Sequence, residues 1–561
     1  MKRIIECVPN FSEGRDMGII KQITDVIEAV DGALLLDVDP GKDTNRTVVT
    51  FAGEPEPVMQ AAVAAVKKAA ELIDMSKHSG AHPRMGATDV CPLVPVSNIT
   101  MEECAELAKE LGKRIADETG IPIFLYGEAA QRKDRYNLPD IRKGEYEALE
   151  KKFKDSDFAP DFGKPIFLPR SGATAVSARA FMLAYNINLN TADIKAAKNI
   201  ALTIRSTGRA KRDKDDKIVR DADGKMVKVP GKLKFCQAGG WYIEEYGYAQ
   251  ITMNLHRFDI TGLHTAFDMV IDEAAKKGLR VTGSELIGLV PLQAMLDTGE
   301  YYLKKQGAST ACPEKDIIRT AVRSLGLEDT SPFDPQKRIV EYALKNEEGQ
   351  LKHLTVNNFT DLLSSNASAP GGGSVAALNA ALGAALSAMV ANLTFENKLY
   401  ADVKKDMEIC GRDAQALKVK ALGLVDEDTE AFNRWMQAMR LPKKSDEDKA
   451  KRDKAIQVAV LDAINIPHIT LKLCSDILKL AEYVLKNGNQ NAFSDAAVAI
   501  KQTQAAAWGA YYNVLINLPS LDDLKQRTTI MVEAKKTLDA VEKSAEKLTL
   551  FAEETLSHAV H

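Results

Sequence analysis

The hydropathy rhythm of this chain changes once, near residue 311, and that change limits what it can fold into more than any other feature. Before it, short apolar runs of strand length alternate with segments whose apolar residues recur every three to four positions. After it, the helical recurrence continues almost without interruption. The first pattern predicts an α/β architecture and the second an all-α helical bundle.

In the first part, strands are expected at 3–8, 33–38, 46–52, 88–96 and 122–126, and helices at 15–29, 56–74 and 100–118. Pro55 and Pro57 open the second of these helices, and Thr100 with Glu103 has capping-box spacing at the start of the third. The strand at 88–96 is expected to end at Pro92 and Pro95, and the turn PGKDTN to join the strands before and after it. The order β-α-β-β-α-β is a split βαβ pattern. It recurs, with strands at 180–189, 235–245, 248–256 and 280–286, helices at 191–206 and 264–277, and an LVP triplet at 289–291 as at 93–95. Two related split-βαβ-like subdomains are therefore expected, with a ligand cleft between them. The charged run 209–234 interrupts the second copy and reads as an exposed hairpin turning at Asp223-Gly224.

Short helices are expected at 314–325 and 336–345, and NEEGQLKHLT at 346–355 reads as linker. The bundle would use helices at 356–365, 373–395, 398–421, 423–438, 445–461, 463–485, 489–516 and 522–558. The expected divisions are 1–179 and 180–330 for the two α/β subdomains, 331–354 for the linker and 355–561 for the helical domain. At ~150 residues per domain, 561 residues suit three or four such units.

Composition narrows the function classes. The 74 basic and 78 acidic residues leave a net charge of −4, which gives no broad basic surface for nucleic acid. The seven cysteines are an odd number with no CxxC pair, so reduced thiols in a cytoplasmic protein are expected, with no disulfide framework and no zinc or other metal site. The start MKRIIECVPNFSEG lacks the long apolar core of a signal peptide. Residues 373–393 carry no charge and are long enough to span a bilayer, but Ala, Gly, Ser and Asn dominate them, so a buried helix is expected rather than a span.

Chemistry in the α/β part concentrates in HSGAHPRMGATD, residues 78–89. Two histidines, an arginine and an aspartate share a Gly- and Pro-rich loop before a strand, and an imidazole titrates nearest neutrality. His82 precedes Pro83, which keeps it out of helix. A histidine that merely packs a turn fits equally, and both readings stay open at this point. Further polar loops supply Asn10, Ser12, Glu13 and Arg15; Asp37 and Asp39; Asn45 and Arg46; Tyr126, Gly127 and Glu128; and RSGATAVSAR at 170–179, where Gly172 permits close approach. Each of these also suits ordinary turn chemistry.

In the helical part, ASAPGGGSVAALNAALGAALSAMV at 367–390 offers Ser374 as N-cap and small residues Ala380, Gly383, Ala384, Ser387 and Ala388 for close packing. A helix start of this kind can hold an anion, but the Walker ending is absent and a packed central helix explains the segment as well. In VDEDTEAF at 425–432, Asp426 and Glu430 share a face while Asp428 lies about 200° from Asp426, beside apolar neighbours. Burial there would raise a carboxyl into the range useful for proton transfer; an acidic surface helix is the alternative. The apolar helix at 491–518 carries Asp495, Lys501, Gln504, Tyr511, Asn513 and Asn517, and the two asparagines suggest a polar network or a ligand contact.

Taken together, ECVPNFSEG, LLDVDPGKDTNRTVVTF, IDMSKHSGAHPRMGATDVCP, YGEAA, PDFG, GATAVSAR and YNINLN, then GWYIEEYGYAQITMNL, TGLH and GSELIGLVP, resemble glutamate formimidoyltransferase over about residues 1–330. APGGGSVAA, VDEDTEAF, SDAAVA and GAYYNVLINL resemble the formiminotetrahydrofolate cyclodeaminases, which are related to methenyltetrahydrofolate cyclohydrolases, over about 355–561. Joined in this order, the two resemble the bifunctional formimidoyltransferase-cyclodeaminase family. The resemblance implies transfer of a formimino group from N-formimino-L-glutamate to tetrahydrofolate, then closure to 5,10-methenyltetrahydrofolate with loss of ammonia. It implies His82 as the acid/base residue of the transfer and Asp428 as the active residue of the closure. It implies a folate site made by Gly163, Lys164, Pro165, Ile166, Phe167, Leu168, Pro169, Arg170, Ser171 and Gly172, with Asp39 near the reacting nitrogen. Arg170 and the long 209–234 excursion depart from the pattern of the relatives. Tetrahydrofolate, with or without a polyglutamate tail, would be a co-substrate, with no metal, nicotinamide or pyridoxal phosphate. A homo-oligomer of at least two copies is implied, for which helix 373–393 offers an interface. Formyl transfer with a cyclohydrolase-like second domain is the alternative enzyme, and a folate-binding scaffold without turnover is the alternative outside catalysis.

Overall fold

A computed structural model describes residues 3–42, 44–80, 82–244, 246–344 and 351–560. Asp43 of the expected turn, Ala81 of the HSGAHP segment, Glu245 at the end of an expected strand and residues 346–350 of the expected linker lie outside the described residues. The chain forms two compact units, Met1–Gly299 with Ile318–Lys345, and Glu300–Ile317 with Asn346–His561. The first is α/β and the second is helical.

The first unit opens with β1 (Ile4–Cys7) and β2 (Asn10–Phe11), one strand line interrupted at Val8 and Pro9. There follow α1 (Met17–Glu28), β3 (Ala33–Gly41), β4 (Arg46–Gly53), α2 (Pro55–Leu72), β5 (Thr88–Ser97), α3 (Met101–Thr119), β6 (Ile123–Gly127), the short α4 (Leu138–Arg142) and α5 (Glu145–Lys152), and β7 (Thr174–Ala178). Across the sheet they run β3, β4, β1 with β2, β5, β7, β6; β5, β7 and β6 are parallel and the other neighbours antiparallel. The helix starts follow their caps. Asp16 accepts the Gly18 and Ile19 N–H groups at α1, and Thr100 and Glu103 form the full capping box at α3. Contrary to expectation, β5 continues through both prolines. The Pro92 carbonyl accepts the Val8 N–H where the neighbouring strand is itself interrupted, and Pro95 sits beside a bulge opposite Ile5. Strand alternation gives the sheet two faces. Thr47, Val49, Phe51, Cys91 and Leu93 are fully buried in the core, whereas Arg46, Val48, Val90 and Pro92 point to the other side and floor a cleft.

A second sheet is built from β8 (Leu183–Leu189), β11 (Cys236–Ile243), β12 (Tyr248–Leu255) and β13 (Val281–Ile287), with α6 (Ile194–Ile204) after β8 and α7 (Leu263–Ala275) after β12. Its order is β11, β12, β8, β13, all antiparallel. The LVP triplets do not hold equivalent places: Pro95 lies within β5, whereas Pro291 follows β13 and precedes a helix. The excursion carries the small strands β9 (Arg209–Ala210) and β10 (Lys228–Val229). It turns at Asp223-Gly224 as expected, with Gly224 at φ +74°, and also at Asp213–Lys217. The second turn exists because RDKDDKIV is followed by RDADGKMV: Asp213 and Asp221 each accept two backbone N–H groups, and Arg212 and Arg220 each close the turn on a carbonyl.

The helices α8 (Leu292–Lys305), α9 (Glu314–Leu325), α10 (Pro335–Arg338) and α11 (Val340–Ala343) precede the bundle, which comprises α12 (Val356–Leu363), α13 (Gly372–Glu396), α14 (Lys404–Met439), α15 (Asp446–Asn487), α16 (Phe493–Asn517) and α17 (Leu524–Val560). Six helices stand where eight were expected, because two expected breaks are absent. α14 passes through Gly423, flanked by the buried Ala421, Leu424 and Val425, and α15 passes through Pro467. Packing outweighs the ~1 kcal/mol that an interior glycine costs. α13 packs against α14, α15 and α16, with Ala380, Gly383, Ala384, Ser387 and Ala388 buried. At Gly383 a Cβ would lie 2.4 Å from Thr503 Oγ1, so only glycine lets α16 come this close. By length and composition α13 and α15 could each cross a membrane; here both pack within the bundle.

Candidate active sites

In the α/β unit a cavity of about 590 Å³ lies over the open face of the first sheet. β4 contributes Arg46 and Val48, β6 Tyr126 and the chain after it Glu128, α4 Arg142, the residue after β7 Arg179, and the second sheet's neighbourhood Phe235, His256 and Arg257. His82 lines it too. Its Nδ1–H donates to the Pro83 carbonyl at 2.7 Å, so Nε2 carries the lone pair, and Arg46 Nη1 donates to it. Burial first, and the Arg46 charge second, hold the His82 pKa below its ordinary value. This imidazole is neutral with a basic nitrogen in the cavity.

The rest of the HSGAHPRMGATD segment is scaffold. His78 Nε2 donates to the Asn45 carbonyl at 2.9 Å and its Nδ1 accepts from Arg84 Nε. Arg84 is buried and paired with Glu145 at 2.9 Å and Glu147 at 2.6 Å, which ties the loop to α5. Asp89 accepts the Met85 N–H and holds Arg142 at 2.6 Å, so it aims a cavity guanidinium. Asn45, at φ +48°, accepts from Gly14 N–H and donates to Ser79, joining three loops. Asp161 of the PDFG motif is likewise structural, accepting from Leu125 N–H and pairing with the buried Arg135.

Several cavity groups are left without protein partners. Asn10 Oδ1, Arg46 Nε, Arg142 Nε and His256 Nε2 are buried and unpaired, as expected of groups that await a ligand. Burial pushes the Tyr126 hydroxyl up to about 12, so it remains a donor. Glu6, on the cleft side of β1, is raised to about 7 by burial, against the charge of Arg179. Arg142 and His256 had no signal in the sequence: one sits on a five-residue helix, the other at the end of a strand far along the chain.

Asp39 and the 163–172 segment do not line this cavity. Asp39 is exposed on β3 opposite Val48, on the same sheet face as the cavity, and close enough to act on the Arg46 charge. The 163–172 segment braces the histidine loop from behind. Gly172, at φ +65°, bridges Gly86, a Cβ on Gly172 would meet the Met85 carbonyl at 2.2 Å, and the Ser171 carbonyl accepts the Ala87 N–H. The Pro169 carbonyl accepts from Tyr146 Oη, the Arg170 carbonyl from Met75 N–H, and Phe167 packs on the Tyr146 ring.

In the helical unit a cavity of about 390 Å³ is lined by Gly371, Gly372 and Gly373, Asp428, Thr429, Phe432, Trp435, Ala463, Asn513, Asn517 and Ser520, among others. Gly371, not Ser374, caps α13, so the helix starts earlier than expected. Ser374 then falls inside the first turn, where its hydroxyl donates to Asp428 Oδ2 at 2.9 Å and its N–H also reaches the carboxylate. A Cβ at Gly373 would lie 2.1 Å from Asp428 Oδ1, and one at Gly372 3.3 Å from Asn513 Nδ2, so the glycines admit both side chains to the helix end. Burial raises the Asp428 pKa, opposed by the Ser374 hydrogen bonds. Asp426, on the other side of α14, is buried and accepts the Leu351 N–H at 2.6 Å; it anchors the chain entering the bundle. On α16, Gln504 and Trp508 both donate to Glu542, away from the cavity, and only Asn513 and Asn517 of the polar residues singled out there line it.

Comparison with known proteins agrees along the whole chain. The formiminotransferase domain, N-terminal subdomain, matches residues 4–179; the formiminotransferase domain matches 184–345; formiminotransferase-cyclodeaminase matches 355–536. Formimidoyltransferase-cyclodeaminase of Sus scrofa is 41% identical over 96% of this chain and 98% of its own length. Glutamate formimidoyltransferase of Streptococcus pyogenes is 41% identical over 54% of this chain and 94% of its own. Methenyltetrahydrofolate cyclohydrolase of Methylorubrum extorquens is 38% identical over 32% of this chain and 90% of its own.

Proposed function

The chain belongs to the formimidoyltransferase-cyclodeaminase family, and we propose that its two reactions divide between the two cavities, transfer at His82 and ring closure at Asp428. It is an enzyme with both activities: it moves the formimino group of N-formimino-L-glutamate to tetrahydrofolate, then closes 5-formiminotetrahydrofolate to 5,10-methenyltetrahydrofolate and ammonia.

In the transfer, N5 of tetrahydrofolate attacks the amidine carbon and His82 Nε2 takes the N5 proton. The imidazolium returns it to the glutamate nitrogen as the carbon–nitrogen bond to glutamate breaks. The observation that carries this assignment is the hydrogen bond from His82 Nδ1–H to the Pro83 carbonyl, which leaves the lone pair on Nε2, where Arg46 donates to it. Arg46, Arg142 and Arg179 supply positive charge for a substrate with two carboxylates. In the closure, N10 attacks the carbon of the protonated formimino group, Asp428 carries the N10 proton to the resulting NH₂, and ammonia leaves as the 5,10-methenyl cation forms. A carboxyl raised by burial suits that exchange.

His82→Asn is expected to abolish glutamate release while leaving ammonia release from supplied 5-formiminotetrahydrofolate intact; Asp428→Ala is expected to do the reverse. Loss of both activities from either change, in a protein with unaltered circular dichroism, would overturn the division. The finer readings follow the same proposal. In both sheets the first four strands stand in the sequence order two, three, one, four, which supports one split βαβ plan used twice. Asp39 acts on the folate site through its charge on Arg46, and the 163–172 segment acts by bracing the histidine loop. The enzyme is cytoplasmic and homo-oligomeric, and the exposed Leu382, Met389 and Leu393 on α13 give copies an apolar stripe to share.

A further inference from the structure

Pro467 lies inside α15, so the Ala463 carbonyl one turn earlier lacks the N–H that would close its helical hydrogen bond. It is not left bare. Asn517 Nδ2, from α16, donates to Ala463 O at 3.0 Å and to Asn513 O at 3.0 Å. Both amide hydrogens of Asn517 are thereby spent on carbonyls, and only the NH₂ end of an amide can do this, so the orientation of the group is fixed. One turn earlier Asn513 donates one Nδ2 hydrogen to Gly509 O at 2.8 Å on its own helix. Each side chain lines the cavity that holds Asp428, and each has an amide carbonyl oxygen to offer as an acceptor. Two acceptors without donors thus stand on one helix face, one turn apart, beside the flat rings of Phe432 and Trp435, whose centroids are 5.9 Å apart.

That constellation fits a planar heterocycle with two hydrogen-bond donors side by side. In a pterin they are the 2-amino group and N3–H. We propose that Asn513 and Asn517 receive this edge of the folate ring, and that Pro467 is a positioning residue that keeps the Asn517 oxygen turned to the substrate. The inference rests on the assignment of ring closure to the Asp428 cavity. A helix normally satisfies its own carbonyls; here proline withholds one donor so that a neighbouring side chain must supply it, and the other end of that side chain becomes a fixed acceptor. An aspartate at 517 would lose the two donated bonds, and a leucine would lose the acceptor as well.

The test uses the full chain and ammonia release from supplied 5-formiminotetrahydrofolate. Pro467→Ala returns an N–H to Ala463 and competes for the carbonyl that anchors Asn517. Its KM is expected to rise about tenfold while its melting temperature holds or increases, because the helix gains a hydrogen bond. A purely structural proline would show no such KM change. The second arm compares this substrate with its 2-desamino-2-methyl analogue. The unaltered enzyme is expected to prefer the amino compound by about tenfold or more in kcat/KM, and Asn517→Leu to erase most of that preference by losing activity on the amino compound alone. An unchanged KM in Pro467→Ala, or a preference that survives in Asn517→Leu, overturns the proposal. Undiminished ammonia release by Asp428→Asn overturns the site assignment itself, and this inference with it.

Discussion

Arg46 occupies the lone pair that His82 would use in the proposed transfer. The guanidinium donates to Nε2, and together with burial it keeps the imidazole from protonating. On the proposed assignment, this contact holds the base neutral, and the attacking amine would displace the arginine. The pH dependence follows. A base with a pKa below the ordinary ~6.5 is active above that pKa, so the acid limb of kcat/KM for glutamate release lies below pH ~6.5. Arg46→Gln removes a cation that depresses the imidazole, so the limb moves to higher pH; a pH–rate profile measured for both proteins checks it, and an unmoved limb refutes the coupling. Residue type drew attention to the 78–89 loop and to the 425–432 helix, and the family resemblance singled out His82 and Asp428 there. Residue type alone could not separate His82 from His78, since both sit in one loop and only contacts show which is pinned between Asn45 and Arg84. Arg142 was unreadable for a related reason: its partner Asp89 is 53 positions away.

The start of α3 was legible in its capping-box residues, whereas α6, capped by Asp193, starts three residues later than expected. Thr100 with Glu103 and Ser445 with Asp448 both form capping boxes in place. Helix interiors were less legible, because glycine and proline are weighed locally while burial is decided by distant segments. α14 holds two glycines that make the point. At Gly423 a Cβ would meet nothing within 4 Å, whereas at Gly411 it would lie 2.7 Å from the Ala311 Cβ and 3.3 Å from that of Ala391. The first is glycine without a packing reason; the second is glycine because two chain segments touch it. Gly423→Ala is expected to stabilise the helical unit by about 0.5–1 kcal/mol, through lower backbone entropy of the unfolded chain. Gly411→Ala is expected to destabilise it by about 1–3 kcal/mol, through overpacking. Urea unfolding followed by helical circular dichroism reads both, and equal shifts for the two would show that the local space is not what matters. Pro467 belongs to the same class: the sequence expects a break nearby, and the helix continues because Asn517 satisfies the carbonyl that proline strands.

The chain enters its helical unit earlier than its change of rhythm and its linker composition suggest. Residues 300–317 precede that linker, yet they pack with the bundle. Ser309 Oγ donates to Asn392 Oδ1 at 2.8 Å and Thr310 Oγ1 to Glu408 Oε1 at 2.8 Å. The Ala311 carbonyl accepts from Asn392 Nδ2 and Gln415 Nε2, and Ala311 itself fills the space over Gly411. Arg412 adds an ion pair with Glu300 at 3.2 Å, which is partly exposed and worth little. Periodicity could place helices in this stretch but could not tell which core they join, because the joining atoms are backbone carbonyls and small side chains without a pattern. The consequence concerns where the bundle can be separated. A protein beginning at residue 346 leaves the amides of Asn392 and Gln415 and the Glu408 carboxylate without these partners and opens the surface around Gly411. At about 1 kcal/mol for each of these four hydrogen bonds, the loss is on the order of 4 kcal/mol. A protein beginning at residue 300 retains all of them. Urea midpoints for the two fragments, measured by circular dichroism, are expected to differ in that direction, with ammonia release more readily lost from the shorter one on warming. Equal midpoints would mean that the 300–317 segment lies on the bundle without supporting it.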